Sequence, residues 1–453
     1  MINLAPAAIC LLILGFIMEP QTKPRSVLKN QVRQLSSPSF VHRWPVFYGW
    51  IVMVAGSLGL VMTSPGQTYT VSIFIEHFIE DLSISRSAVS TLYSLGTLAG
   101  SLTLPLWGRQ IDRHGSRKMV VLIAFLFGLA CIYMGFVQNA LMLGVGFIAI
   151  RMLGQGSLGL VSQTVLNQWW VRKRGLVMGL AGLILAVLGM GAFPNLVHYL
   201  ISILGWRMTY PILGAILIFG MVPIGFLLFR NRPEDYGLRP DGTPAEIDQS
   251  AEEVGPIAER DLEWTLEEAL HTRVFWVLLV SLASFTMMST GQFFHMVSIF
   301  KDQGLSSTVA ASVFVPIALA TATANLLGGI AIDRISVKYL LSIALVFQAL
   351  SLLRIQSLDN TASVYTFGIL LGITGGLFHA VSAVVWPAFY GRRHLGSIYG
   401  FASAAGVLGA ALGPLPFGIV RDLLGSYQLI LYAASAISLL LSLLSLSVQK
   451  PMK

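Results

Sequence analysis

Three sets of residues in this sequence have the types and spacing for chemistry. The first is Arg151, set in a long apolar run, with Gln155 one helical turn on and on the same face. An arginine deep in a span costs about 2.5–3.5 kcal/mol on insertion scales, so it must face the protein interior and find partners there. Its guanidinium suits anion binding or coupling, and it equally suits bonding to the backbone carbonyls of neighbouring helices. The second set is the turn Gly108-Arg-Gln-Ile-Asp112-Arg113-His-Gly115-Ser-Arg117-Lys118. Gly108 and Gly115 permit a tight bend. Asp112 can pair there with a helix end or a basic loop residue. Such a pair holds one conformation closed, and motion must break it. Arg113 and Arg117 add positive charge to the same turn, and Asp333 with Arg334 form a second copy. The third set is His198, His295 and His379, whose ordinary pKa of about 6.5 suits proton coupling. His379 lies deepest; the other two fall near the ends of apolar runs, where an interfacial role is the plainer reading. Their spacing makes no metal site. No Asp or Glu falls inside an apolar run, so a relay through a buried carboxylate is not expected unless Glu76 is drawn inward.

Apolar runs dominate the chain. Of 453 residues, 55% are hydrophobic and 11% are charged, and the mean hydropathy is +0.75. Soluble domains carry roughly 25% charged residues. A water-exposed surface cannot be built from so few charges, which excludes a disordered chain, a secreted disulfide scaffold and a nucleic-acid-binding domain. The net charge of +8 comes from short basic loops between apolar runs. Cys10 and Cys131 both lie in apolar stretches and imply no disulfide framework. About 20 apolar residues cross about 30 Å of hydrocarbon, and long continuous runs are helices, not barrel strands. An all-α membrane protein follows, with twelve transmembrane helices predicted at 47–72, 87–107, 118–138, 141–165, 175–199, 208–229, 273–297, 308–331, 338–357, 363–387, 397–420 and 427–447. With both termini cytoplasmic, 23 of the 29 Lys and Arg residues fall inside, five outside, and Arg151 within a span. That bias predicts the orientation of a multi-pass protein of the cell membrane.

The expected organisation is an N-terminal extension over 1–45, a six-helix bundle over 46–229, a cytoplasmic linker over 230–272, a second six-helix bundle over 273–448 and a tail over 449–453. Residues 1–18 are apolar without a basic lead, which reads as an interfacial extension or as sequence upstream of a start at Met18. The linker holds 12 of the 21 acidic residues. Pro233, Pro240, Gly242 and Pro244 mark its early part as irregular. Thr265-Leu-Glu-Glu268 reads as a capping box opening a short helix, with Trp264 and Leu270 placed to rest on the membrane surface. The halves repeat. Gly108–Arg113 matches Gly329–Arg334 at an offset of 221, and Gly175 and Gly179 match Gly396 and Gly400 at the same offset. Leu204-Gly205 matches Leu424-Gly425, and Gly66-Gln67 echoes Gly291-Gln292. Two parallel six-helix repeats place a solute site near the midplane between them, the architecture of an alternating-access transporter.

With these residues in view, the chain resembles the major facilitator superfamily over about residues 45–448. Gly108–Lys118 is similar to its loop between spans two and three, and Arg151-Met-Leu-Gly154-Gln155-Gly156 to its span-four motif. Four further stretches resemble the oxalate/formate antiporter and monocarboxylate porter branch: Tyr48-Gly49-Trp50, Pro65–Tyr69, Trp169–Gly175 and Gly406–Pro414. The resemblance implies a gating role for Gly108, Asp112, Arg113, Gly115, Arg117, Asp333 and Arg334. It also implies a cavity lined by spans one, four, seven and ten, which selects Gln67, Tyr69, Gln163, Gln292, His379 and Trp386 as candidates. The chain departs from the branch in one respect. Members that carry small organic anions resemble one another in a cavity Lys or Arg on span one, eight or eleven, and none stands there in this sequence, so oxalate or formate does not follow.

The expected function is secondary active or facilitative transport of a small organic solute by alternating access. A monocarboxylate is one candidate, and protons are a candidate coupling ion. A transporter-like solute sensor, and a transporter of a neutral or cationic solute, are the alternatives. No nucleophile, base and orienter stand together as in an enzyme. Gly154–Gly159 lies inside a span with no strand before it, so it is not a nucleotide loop. No cofactor is expected.

Overall fold

The computed structural model describes residue 41 and residues 46–242, 264–305 and 313–451. The expectations for most of the N-terminal extension, the middle of the linker and residues 308–312 of span eight lie outside the described residues.

Helices account for nearly all of the ordered chain. Ten helical stretches among the described residues are long and apolar enough to cross a membrane. One of them, Arg174–Leu228, holds 55 residues. At 1.5 Å per residue that is about 80 Å, far more than one crossing needs. The chain turns within it at Gly205, whose φ of +73° suits glycine, so the stretch holds spans five and six. Arg86–Leu102 and Leu104–His114, interrupted at Thr103 just before Pro105, form span two and complete the twelve. Phe219, Leu141 and Leu423 are 80%, 79% and 76% exposed, which suits a surface facing lipid and not water.

Breaks fall where proline and glycine stand. Span one runs over Gly49–Val61, makes a tight turn at Ser64–Gly66 around Pro65, and resumes at Thr68–Leu82. Span eleven runs over Leu395–Leu412 and then Pro414–Leu424. Span four is continuous from Ala140 to Trp169 but widens to π-helical turns over Arg151–Leu158. Spans seven, eight, nine, ten and twelve are the helices Arg273–Asp302, Phe314–Ile332, Val337–Arg354, Thr361–Tyr390 and Gln428–Leu446.

Two expectations need correction. The second helix of span one continues ten residues past its predicted end and so contains Glu76, Glu80 and Asp81. Nothing breaks it before Ser83, and its Phe74 and Phe78 are buried against Tyr210. Asp81 accepts from Trp206 Nε1 at 2.7 Å and pairs with Arg207 at 3.1 Å. Trp264 is buried against the end of span ten, with its ring edge-on to Tyr390 at 6.0 Å, and so does not lie on a membrane surface. The capping box beside it forms as expected. Thr265 Oγ1 accepts from the Glu268 N–H at 3.2 Å, and Glu268 accepts from the Thr265 N–H at 2.8 Å.

The two halves touch through backbone. A Cβ built on Gly108 would lie 2.0 Å from Gly396 O, and one on Gly175 would lie 1.9 Å from Gly329 O. The two contacts are copies of each other, since Gly108 and Gly175 are the repeat mates of Gly329 and Gly396. Span two therefore lies on span eleven, and span five on span eight, with no side chain between. Gly175→Ala should shift the protein away from this arrangement by about 1–3 kcal/mol, the usual cost of an overpacked contact. Pulsed EPR distances between labels on Arg172 and Arg334 test this; a distribution unchanged by the substitution would contradict it.

Candidate functional site: a cavity between the two halves

Arg151 owes its position to glycine. A Cβ on Gly66 would lie 2.4 Å from Ile150 O, so only glycine lets the broken turn of span one sit against span four. That contact turns Gly66 O toward the guanidinium. Arg151 Nη1 donates to Gly66 O at 2.9 Å, and Nε donates to Thr97 Oγ1 of span two at 2.8 Å. The guanidinium also lies 4.7 Å from the centre of the Tyr93 ring. Arg151 is 5% exposed, and no described carboxylate pairs with it. Arginine carries five N–H donors; two are used, and the side chain lines a cavity of about 410 Å³.

That cavity lies between the halves. Arg151, Gln155 and Gln163 line it from spans four, and Phe378, His379 and Trp386 from span ten. Tyr399 and Ser403 add to it from span eleven. Gln163 Oε1 is buried with no partner among the described residues. The His379 ring makes no hydrogen bond to described protein groups. Gln67, Tyr69 and Gln292 do not line this cavity. Gln67 Nε2 donates to Thr63 Oγ1 at 3.0 Å, and Tyr69 shares a hydrogen bond with Ser64 at 2.9 Å, so both brace the turn in span one. Gln292 is fully buried inside the second half beside Ser351.

One end of the cavity is shut by carboxylates on helix ends. Asp112 Oδ1 accepts from the Gly396 N–H at 2.8 Å, and Oδ2 accepts from the Ser397 N–H and Oγ at 2.7 and 2.6 Å. Asp333 accepts from the Gly175 and Leu176 N–H groups at 2.7 and 2.9 Å. These donors are the unsatisfied first N–H groups of spans eleven and five, and a negative charge there also meets the helix dipole. The two pairs are repeat copies. Asn167 Nδ2 donates across the halves to Ala383 O at 3.0 Å, and Arg392 Nη1 to Gln168 O.

The other charges of the turn do different work. Arg117 Nε donates to Phe226 O at 2.9 Å, within its own half. Gly115 has φ +82° and lies against Asn231, whose Oδ1 accepts from the Arg117 N–H. Arg113 and Arg334 are exposed.

The sequence profile of the Major Facilitator Superfamily matches residues 58–322 and 293–452. The chain belongs to the Major Facilitator Superfamily. Its relatives include the probable sulfoacetate transporter SauU of Cupriavidus necator, 22% identical over 77% of this chain and 82% of that one. Monocarboxylate transporter 3 of Gallus gallus is 22% identical over 86% of this chain and 76% of its own length. The oxalate:formate antiporter of Oxalobacter formigenes is 22% identical over 80% of this chain and 84% of its own. Among solved structures, the human organic anion transporter MFSD10 gives a TM-score of 0.61 at 17% identity, covering 88% of this chain and 99% of that one. The proton:xylose symporter XylE gives 0.62 at 14%, covering 87% and 94%. At these identities the structures establish the fold alone. Membership in the superfamily makes this multi-pass protein a secondary transporter and not an enzyme.

Sequence reading missed several residues of this major facilitator fold. Thr97 is one of many span hydroxyls, and nothing local marks it. Asp241 carries a signal in Pro240-Asp-Gly242, a turn sequence. Its carboxylate accepts from the Val171, Arg172 and Lys173 N–H groups at 3.0, 2.8 and 3.0 Å. With Asp333 it ties down most of the loop that opens span five.

Burial pushes the Asp112 carboxyl up to about 6, against opposing hydrogen bonds from Ser397 and Gly396. In an arrangement where the turn is hydrated, the carboxyl returns toward its ordinary value near 3.9. The closed arrangement then binds the proton more tightly, so it gains as pH falls through about 6 toward 4 and loses that gain as pH rises through 6. The same EPR distances should show closure strengthening across that window, and Asp112→Asn should flatten the dependence. A pH response of wild type that survives in the variant would contradict the assignment.

Proposed function

We propose that this transporter moves a small organic monoanion by alternating access, with Arg151 as the anchor for its negative charge. The observation that carries the reading is the guanidinium itself: buried, without a carboxylate partner, and facing the cavity between the halves. A cation in that state attracts an anion strongly, because water is scarce and the local dielectric is low. It also answers the departure noted in the sequence, since span four supplies the charge that spans one, eight and eleven lack. Relatives described as sulfoacetate, monocarboxylate and oxalate:formate transporters agree with an anionic solute.

Gln155 and Gln163 orient the solute beside Arg151, and Trp386 bounds it from the opposite half. His379, unpartnered in the same cavity, is the proton site for coupling. Gly108, Asp112, Gly175 and Asp333 form the gate, with Gly115 and Arg117 holding the Asp112 turn in shape and Arg113 and Arg334 adding to its positive charge. The excess of Lys and Arg on the gate side places it in the cytoplasm of the cell with both termini, so the arrangement described faces outward.

Uptake into proteoliposomes tests this with labelled lactate, pyruvate, formate and oxalate, with and without an imposed pH gradient. Lactate or pyruvate uptake should be driven by the gradient and fall about 10- to 100-fold in Arg151→Gln, the value of charge-assisted hydrogen bonds. His379→Gln should leave exchange that no longer responds to the gradient. Wild-type rates in Arg151→Gln would refute the anchor.

A further inference from the structure

The cavity has two unlike walls, and the difference bears on the shape of the solute. The first half presents polar groups: Arg151, Gln155 and Gln163. The second half presents rings: Phe378, Trp386 and Tyr399. Each ring is held in place. Phe378 stacks on Phe285 with centroids 4.0 Å apart and planes 6° from parallel. Trp386 leans on Phe275 at 5.2 Å and is 2% exposed. Tyr399 has its hydroxyl engaged, donating to Ser382 O at 3.1 Å, so its ring face is what remains for a ligand. Small residues, Ala402, Gly406 and Ala410, leave room beside the rings.

We infer that the preferred solute is an aromatic monocarboxylate, its head on Arg151 and its ring against Phe378, Trp386 and Tyr399. The inference rests on the anion reading above and narrows it. A one-carbon anion reaches only one wall of a cavity of about 410 Å³ and leaves the rings wet. A dianion fits worse, because Arg151 is the only Lys or Arg among the lining residues. A second carboxylate would face the rings and lose its hydration without a partner. His379 stands in the aromatic wall and supplies a charge only below its ordinary titration range near 6.5. A planar ring instead gains stacked and edge contacts with the fixed rings. A solute that bridges the walls also draws the two halves together.

The test is uptake by the full-length protein in proteoliposomes at pH 7.5, offered labelled acetate, benzoate, phenylacetate and oxalate. Benzoate or phenylacetate should half-saturate transport at a concentration at least about tenfold below acetate, the discrimination that an apolar group gains in a matching pocket. Oxalate should not be taken up. Phe378→Leu and Trp386→Ala should each lower the aromatic-to-acetate ratio, and the first keeps the test open if the second fails to fold. Acetate transported as well as the aromatic acids, or a ratio unchanged in both variants, overturns this inference and leaves Arg151 as an anion anchor. Uptake of none of the four by a monodisperse protein overturns both.

Discussion

Burying Arg151 costs free energy that two hydrogen bonds and one aromatic face return only in part. Much of the first half is arranged around that cost. Pro65 and Gly66 break span one so that a backbone carbonyl is free to face the guanidinium, and span four widens where the arginine stands. Thr97 arrives from span two to take the Nε donor. No described acid arrives, and that omission gives the site its character. A paired arginine would be a structural strut; an unpaired one on a cavity wall keeps capacity for a ligand of opposite charge.

The second constraint is the seam between the halves. Gly108 against Gly396 and Gly175 against Gly329 are places where two backbones meet directly, so the fit is close and all-or-none. Asp112 and Asp333 then satisfy helix-end donors of the opposite half, which exist only when the backbones are this close. The glycines and acids therefore act as units: separation of the halves loses contacts and hydrogen bonds together. That gives the molecule two states and not a continuum, as a carrier needs if its site is to open to one side at a time.

The sequence made the architecture legible because the signals were long. Twelve apolar runs, basic loops and a repeat at an offset of 221 survive errors of several residues at each end. Gly108, Asp112, Asp333 and their repeat mates were legible for the same reason, each appearing twice. Arg151 stood out because charge in an apolar run is expensive. The cavity wall was harder to read. Gln67, Tyr69 and Gln292 are polar span residues like Gln163, but a helix has several faces, and theirs turn into the bundles. Asp241 escaped because its partners are the backbone N–H groups of Val171, Arg172 and Lys173, which no sequence pattern displays.

The central claim is that Arg151 holds the solute's negative charge, and a structure of the protein with 4-bromobenzoate tests it most directly. Anomalous scattering fixes the bromine, and density fixes the carboxylate. The account predicts carboxylate oxygens within about 2.7–2.9 Å of Arg151 Nη atoms, the distance of a charge-assisted hydrogen bond, with the bromine directed at Phe378 and Trp386. An anion bound elsewhere while Arg151 keeps only its bonds to Gly66 and Thr97 would contradict it.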